Sequence, residues 1–252
     1  DHVLDNVAIF PAVLAFEAIS QSLRYFLNDD CFMLNGQFTD IKFHQAITLD
    51  KHENNLGGDI RILVQRLSNN TLKCVIRTQK THYKIDHMEV CFSEEKAVND
   101  TIPLSDVSNQ TILLKDLQKT LYAPLLFQKG YFANIKHYTH IEAKRSVAYI
   151  ECKQHIDYFD KSIEQGFILN TPGLYDSALH SVQVCMPHFT LIPTSIGKRM
   201  IYKRSIEISF TLFTIEKCEH QDHLIYDMFF IDDKGKCLEK GQDVCFKKIK
   251  ER

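Results

Sequence analysis

Residues 11–28 read PAVLAFEAISQSLRYFLN, with Pro11 in the first helical position, Val13, Leu14, Phe16, Ala18 and Ile19 placed almost all round, and a polar stop at Asn28-Asp29-Asp30. This pattern predicts a core helix buried on most sides. Far along the chain a second stretch, residues 171–186 (TPGLYDSALHSVQVCM), offers Thr171 as N-cap, Pro172 as first helical residue and Leu174, Ala178, Leu179, Val182 and Met186 as an apolar surface. Pro187 stops it. Both stretches begin with Pro followed by a small and then an aliphatic residue, a weak internal repeat.

Outside these helices the apolar period falls from 3.6 to about 2, the signature of strands. Leu72, Cys74 and Ile76 alternate with Lys73, Val75 and Arg77, and Ser68-Asn69-Asn70 reads as the hairpin turn after residues 59–67. Ile206, Ile208, Phe210 and Leu212 alternate with Glu207, Ser209, Thr211 and Phe213. Residues 226–231 and 237–247 flank Asp232-Asp233-Lys234-Gly235, whose glycine suits the positive φ of a hairpin loop. Each half is thus one buried helix followed by long antiparallel strands, an α+β chain with an internal duplication. The expected organisation is a first unit over 1–95, a polar connection over 96–118 and a second unit over 119–252.

The 252 residues are 44% apolar and 25% charged, enough to bury a sizeable core. A net charge of −2 supplies no overall basic field, so no nucleic-acid partner is expected. The longest apolar runs fall far short of the roughly 20 residues of a spanning helix, so no membrane crossing is expected either. Eight cysteines without a C-x-x-C spacing argue against a zinc ribbon and fit free thiols in a reducing cytoplasm.

Four ordered motifs carry a resemblance. His2-Val3-Leu4-Asp5-Asn6-Val7-Ala8-Ile9-Phe10-Pro11 fits H-x-x-x-G-x-x-x-x-P, with Asn6 in the glycine position. Tyr122-Ala123-Pro124-Leu125-Leu126-Phe127-Gln128 is similar to Y-G-P-x-F-Q, with Ala123 for glycine and one additional residue before Phe127. Asp176-Ser177-Ala178-Leu179-His180 matches D-x-x-x-(Q/H), and Leu191-Ile192-Pro193 resembles an L-P motif after the second helix. Together they resemble the dehydratase domains of polyketide synthases, most of all those of iterative, enediyne-type synthases. The resemblance implies a double hotdog, two tandem folds each with a long buried helix wrapped by an antiparallel sheet. It also implies that the chain begins inside the first hotdog, without that unit's first strands.

The activity implied is removal of water from a 3-hydroxyacyl thioester on the phosphopantetheine of an acyl carrier protein, giving the 2,3-enoyl thioester without a metal or redox cofactor. His2 is implied as the base for the α-proton and Asp176 as the acid for the leaving hydroxide. A neutral imidazole is suited to the first task at neutral pH, and burial would raise the Asp176 pKa as the second requires. Asp176 and His180, four residues apart, share a helical face, so His180 is expected to orient the acid, and Tyr122 to donate a hydroxyl near it. Backbone N–H groups around Pro172 and Gly173 are expected to polarise the thioester carbonyl. Pro11, Phe127, Gln128 and Pro193 complete the expected substrate contacts. The implied partners are an acyl carrier protein and neighbouring synthase domains, and a homodimer is compatible with the family.

The same fold could instead serve a double-bond isomerase or product-template cyclase, or a noncatalytic unit that binds carrier protein; Asn6 and Ala123 keep these readings open. Without the motifs, each site residue has a plainer role: a satisfied histidine, a helix-dipole complement or a core-edge tyrosine. Cys218, His220 and His223 fit a polar surface loop between strands better than a metal site. His137 and His140 fit strand-surface positions, and Lys198, Arg199, Lys203 and Arg204 a solvated basic face that could receive an acidic carrier protein.

Overall fold

The computed structural model describes residues 2–4, 7–49, 58–96, 118–122, 124–152, 158, 166–169, 171–203 and 208–251. Asn6, Ala123, Arg204 and nearly all of the expected 96–118 connection lie outside them. In chain order the elements are β1 (Val3–Leu4), β2 (Val7–Ile9), α1 (Ala12–Leu27), α2 (Phe32–Asn35), β3 (Gln37–Phe43), β4 (Thr48–Leu49), β5 (Ile60–Ser68), β6 (Thr71–Thr78) and β7 (Met88–Ser93). The second half holds β8 (Ile135–Glu142), β9 (Arg145–Glu151), α3 (Pro172–His180), β10 (Phe189–Ile201), β11 (Ser209–His220), β12 (His223–Ile231) and β13 (Cys237–Glu251).

Ten strands form one antiparallel sheet in the order β5-β6-β7-β3-β10-β13-β12-β11-β9-β8, and β1, β2 and β4 form a small separate sheet. Each half is one main helix set against its own strands, the double-hotdog arrangement. The halves fuse where β3 pairs with β10, with Ile196 opposite Ile41 and Arg199 opposite Phe38. Across that junction α1 packs against α3. The Glu17 carboxylate on α1 adds a polar tie, accepting the N–H groups of Ile168 and Leu169 at 2.8 and 2.9 Å.

Helix α1 begins at Ala12, one residue later than expected, because Pro11 has an extended backbone (ψ 134°) and caps the helix instead of opening it; the helix is closed by Asn28 in the left-handed region (φ 51°), its N–H returning to the Arg24 carbonyl. Phe16, Ile19, Ser20 and Leu23 recur at helical spacing on the buried face. From Ala12 to Arg24 every residue of the helix is buried or half-buried, as its composition suggested, and it surfaces only in its last turn, where Tyr25 is 90% exposed and Phe26 48%. Ile19 and Leu23 are wholly buried, each contributing about 1.5–3 kcal/mol. Around them Phe16, Phe32, Phe38 and Phe92 meet edge to face.

Helix α3 is shorter than the expected span to Met186. After His180 the chain tightens into a 3₁₀ stretch, Ser181–Cys185. Gln183 explains the change, because its amide donates to the Met186 and Phe189 carbonyls and accepts the Leu191 N–H, fixing the turn into β10. The hairpins at 69–70 and 232–235 form as expected, Gly235 taking φ 78°. Beyond Thr211 the expected alternation of β11 gives way, because Phe213 is buried on the opposite face with Val147, Phe229 and Ile231.

Three surface expectations are corrected. Cys218 and His220 lie within β11 rather than in a loop, and the described residues hold no cluster able to bind a metal ion. His140 is buried, its Nε2 2.9 Å from Glu142, while His137 stacks on Tyr149. Arg199 is not part of a solvated face: it is buried and paired with Glu239 at 2.5 Å. All eight cysteines are free thiols, and no described helix is long and apolar enough to cross a membrane.

Candidate active site

The site lies where the two halves meet. His2 sits just before β1, its carbonyl accepting the Ile9 N–H at 3.0 Å and its backbone bridging to Gln128 of the second half. That bridge gives the Phe127-Gln128 motif a concrete task, holding the His2 backbone against the other hotdog. Asp176 projects from α3, and its Oδ2 lies 3.8 Å from His2 Nδ1. Phe127 and Phe132 present ring edges to the His2 imidazole at centroid distances of 4.9 and 5.4 Å, and Phe127 does the same to His180 at 5.2 Å.

These groups open on a cavity of about 340 Å³ lined by His2, Phe127, Asp176, His180 and Pro193, with Ile9, Ala15, Ile47 and Met88 among its apolar walls. Among the described residues, the buried polar atoms without a hydrogen-bond partner are His2 Nδ1 and Asp176 Oδ2 on the cavity wall, both amide atoms of Gln128 next to Asp176, and His140 Nε2 away from the cavity. Since an unpaired buried polar atom costs on the order of 1–3 kcal/mol, such a concentration beside a cavity marks a place for a polar ligand.

Burial sets the protonation states. It raises the Asp176 carboxyl to about 8, with the nearby Gln128 amide opposing weakly. It lowers His2 to about 4 and His180 to about 3, the latter also through the neighbouring His2 charge. At neutral pH the site therefore holds two neutral imidazoles and a carboxylic acid. The 3.8 Å approach of His2 and Asp176 is not an ion pair in this state, because both shifts run against charging.

Of the expected site residues, His2, Asp176, His180, Phe127, Gln128 and Pro193 come together, and four do not. Tyr122 does not donate to Asp176; its hydroxyl accepts the Ile135 N–H at 2.7 Å, and burial pushes its pKa up. His180 makes no hydrogen bond to Asp176, its ring instead standing 6.4 Å from that of His2. Pro172 has no N–H, and the Gly173 N–H donates to the Tyr158 hydroxyl at 3.0 Å, so neither is free to polarise a thioester. Glycine is needed there for a different reason: a Cβ would collide with the Tyr131 carbonyl oxygen. Pro11 marks the start of α1 without lining the cavity.

Phe43, Leu179 and His87 also line the cavity, beyond the residues that the motifs point to. Leu179 was legible, lying one helical turn from Asp176. Phe43 and His87 come from the first half, and no local pattern announces them.

No family model matches this chain, and no curated protein matches it. Solved structures do. The dehydratase domain of RzxB from Pseudomonas fluorescens is 15% identical with a TM-score of 0.75, over 95% of this chain and 86% of that one. The dehydratase domain of a mycocerosic acid synthase-like polyketide synthase is 15% identical with a TM-score of 0.77, over 99% and 86%. That of the CurK module of curacin polyketide synthase is 17% identical with a TM-score of 0.75, over 99% and 87%. At these identities the likeness establishes the fold: this chain carries the double-hotdog architecture of polyketide synthase dehydratase domains.

Proposed function

We propose that the chain is a dehydratase that removes water from a 3-hydroxyacyl thioester carried by the phosphopantetheine of an acyl carrier protein, within a multidomain synthase. The observation that carries this reading is the pairing of a neutral His2 with a protonated Asp176 across one buried cavity. His2 takes the α-proton, the electrons of that C–H bond form the 2,3 double bond, and the β-carbon–oxygen bond breaks as Asp176 protonates the departing hydroxide. The balance closes as enoyl thioester plus water, with no redox partner required.

The step leaves His2 charged and Asp176 ionised. With Asp176 titrating at about 8 and His2 at about 4, return of the proton to Asp176 is downhill. At 3.8 Å the two atoms are beyond direct hydrogen bonding, so one water, such as the one released, would carry it. The cavity's apolar walls keep both groups neutral between turnovers. Support from outside the chain is consistent: the similar CurK dehydratase is inactive as a His-to-Phe variant and as an Asp-to-Asn variant.

The test is incubation with 3-hydroxyacyl carrier protein, or a pantetheine surrogate, followed by mass spectrometry for loss of one water, or hydration of the enoyl thioester in reverse. Absence of turnover by folded protein across several chain lengths would defeat the proposal. A cyclised or β,γ-unsaturated product without net water loss would reassign the same pair to a cyclase or isomerase.

A further inference from the structure

His87 lies on the wall of the catalytic cavity, yet the reaction assigned to His2 and Asp176 makes no use of it. It is a buried histidine just before β7. Both ring nitrogens are engaged: Nδ1 lies 3.1 Å from the Gln45 carbonyl oxygen and Nε2 3.0 Å from the Thr78 hydroxyl. A carbonyl only accepts, so Nδ1 carries the proton, and in the neutral ring Nε2 then accepts from Thr78. With both nitrogens occupied, the imidazole is not available to a substrate.

The partners of His87 define another task. Residues 44–46 are exposed and form part of the cavity rim between β3 and β4. Among the described residues, the hydrogen bonds that tie them to other segments all run to His87. Its carbonyl accepts the His44 and Gln45 N–H groups at 3.0 and 3.4 Å, and its Nδ1 holds the Gln45 carbonyl. From this strap the chain runs directly into the small sheet that carries the base. The Ile47 carbonyl accepts the Phe10 N–H at 2.8 Å, β4 pairs with β2, and the Ile9 N–H at the end of β2 donates to the His2 carbonyl at 3.0 Å. A strap of exposed residues has little burial of its own to hold it, so its place depends on its bonds to His87.

We infer that His87 is a positioning residue for the base: by clamping the Gln45 carbonyl it fixes the 44–46 strap and, through β4 and β2, the place of His2 opposite Asp176. The inference rests on the dehydratase reading, in which His2 takes the α-proton. Of the other titratable side chains on the cavity wall, Asp176 and His180 belong to α3 and the exposed Lys247 to β13, while only the exposed His44 belongs to the strap. Loosening the strap would therefore admit water to His2 and leave the helix that carries the acid in place. Since burial is what holds His2 down at about 4, a wetted His2 would return toward 6.5.

Two substitutions separate the two sides of the ring. His87→Asn puts an amide N–H where Nδ1 stood and keeps the Gln45 clamp, whereas His87→Gln puts its amide at the Nε2 position, keeping the Thr78 bond and losing the clamp. Each removes one buried hydrogen bond, so urea unfolding should show comparable destabilisation. With 3-hydroxyacyl pantetheine thioesters, His87→Gln should lower kcat by about tenfold to a hundredfold with KM little changed, as a small misplacement of a reacting group does, while His87→Asn stays within about threefold of the wild type. His87→Gln should also move the acidic limb of the kcat/KM profile from about pH 4 toward 6.5. Thr78→Val, which keeps the clamp too, replaces His87→Asn if that variant does not fold. Equal losses of kcat on both sides of the ring, or an unmoved acidic limb in His87→Gln, overturn the inference and leave the dehydratase reading standing. If the wild type turns nothing over, NMR titration of the His2 imidazole decides: an upward shift in His87→Gln alone sustains the strap, and coincident curves overturn it. If His87→Gln does not fold, hydrogen exchange in the wild type decides: the His44 and Phe10 amides should open with one shared free energy, and independent opening overturns the inference.

Discussion

Replacing Asp176 by Asn should abolish turnover and, at the same time, stabilise the fold increasingly as the pH rises. An aspartate that titrates at 3.8 in its ordinary state titrates at about 8 in this fold because it is buried. The folded state therefore binds the proton more tightly than the unfolded chain does. The stabilisation that protonated Asp176 provides is fully present below pH 3.8 and is lost as the pH rises through about 8. Within that window the slope approaches about 1.4 kcal/mol per pH unit, accumulating to on the order of 5 kcal/mol. The amide of the Asp176→Asn variant cannot ionise and carries no such slope. Urea unfolding of both proteins at about pH 5, 6, 7 and 8, followed by circular dichroism, gives the difference directly, since the remaining titrating groups are common to both and largely cancel. The difference should widen with pH and level off above about 8. Parallel curves would mean that Asp176 is already ionised in the folded protein, and its assignment as the acid would fall with them.

Three further outcomes are expected. The kcat/KM profile of the wild type should be bell-shaped, with an acidic limb near pH 4 as His2 is protonated and an alkaline limb near pH 8 as Asp176 ionises, read by initial rates in constant-ionic-strength buffers. His2→Ala should lower kcat by about 10²–10⁴-fold, and the His2→Ala/Asp176→Asn double variant should lose little more, because the two act as a unit; His180→Ala should be milder, since no hydrogen bond joins it to Asp176. Tyr122→Phe should cost about 1–3 kcal/mol in chemical denaturation by leaving the Ile135 N–H unpaired, with a smaller effect on kcat than on stability.

The two helices and most strands were legible because their signals are local. Pro11 and Pro172 mark helix starts by the geometry of proline itself, and the 72–76 alternation survives as the buried Leu72, Cys74 and Ile76 of β6. Misreadings arose where a distant contact overrides the local pattern. Arg199 sits among basic residues and reads as surface, yet Glu239, forty positions later, brings it inside. Gln183 fits the helical pattern of its neighbours, yet its bonds to Met186, Phe189 and Leu191 end the α-helix early. At the site, residue types and order were visible, whereas hydrogen-bond partners were not. Tyr122 and Gly173 occupy motif positions, but which donor meets which acceptor depends on Ile135 and Tyr158, whose approach no spacing reveals.

The inequivalence of the two halves follows from how Asp176 is kept neutral. Its proton affinity is a product of burial, and the burial comes from both hotdogs: α3 supplies the carboxyl, while the first half supplies His2 and the Phe10, Ala12 and Phe43 walls of the shared cavity. Separating the halves would wet the carboxyl and return it toward 3.8, so the acid exists as an acid only in the docked chain. The contacts that hold the docking are accordingly part of how the site works, although none touches a reacting atom. Glu17 ties α1 to Ile168 and Leu169, the His2–Gln128 bridge fixes the base, and the β3–β10 pairing aligns the sheets. A change that loosens one of them, such as Glu17→Gln with its weakened hold on two buried N–H groups, should shift the alkaline limb of the rate profile toward lower pH before it lowers the plateau, because the proton on Asp176 depends on water being kept out.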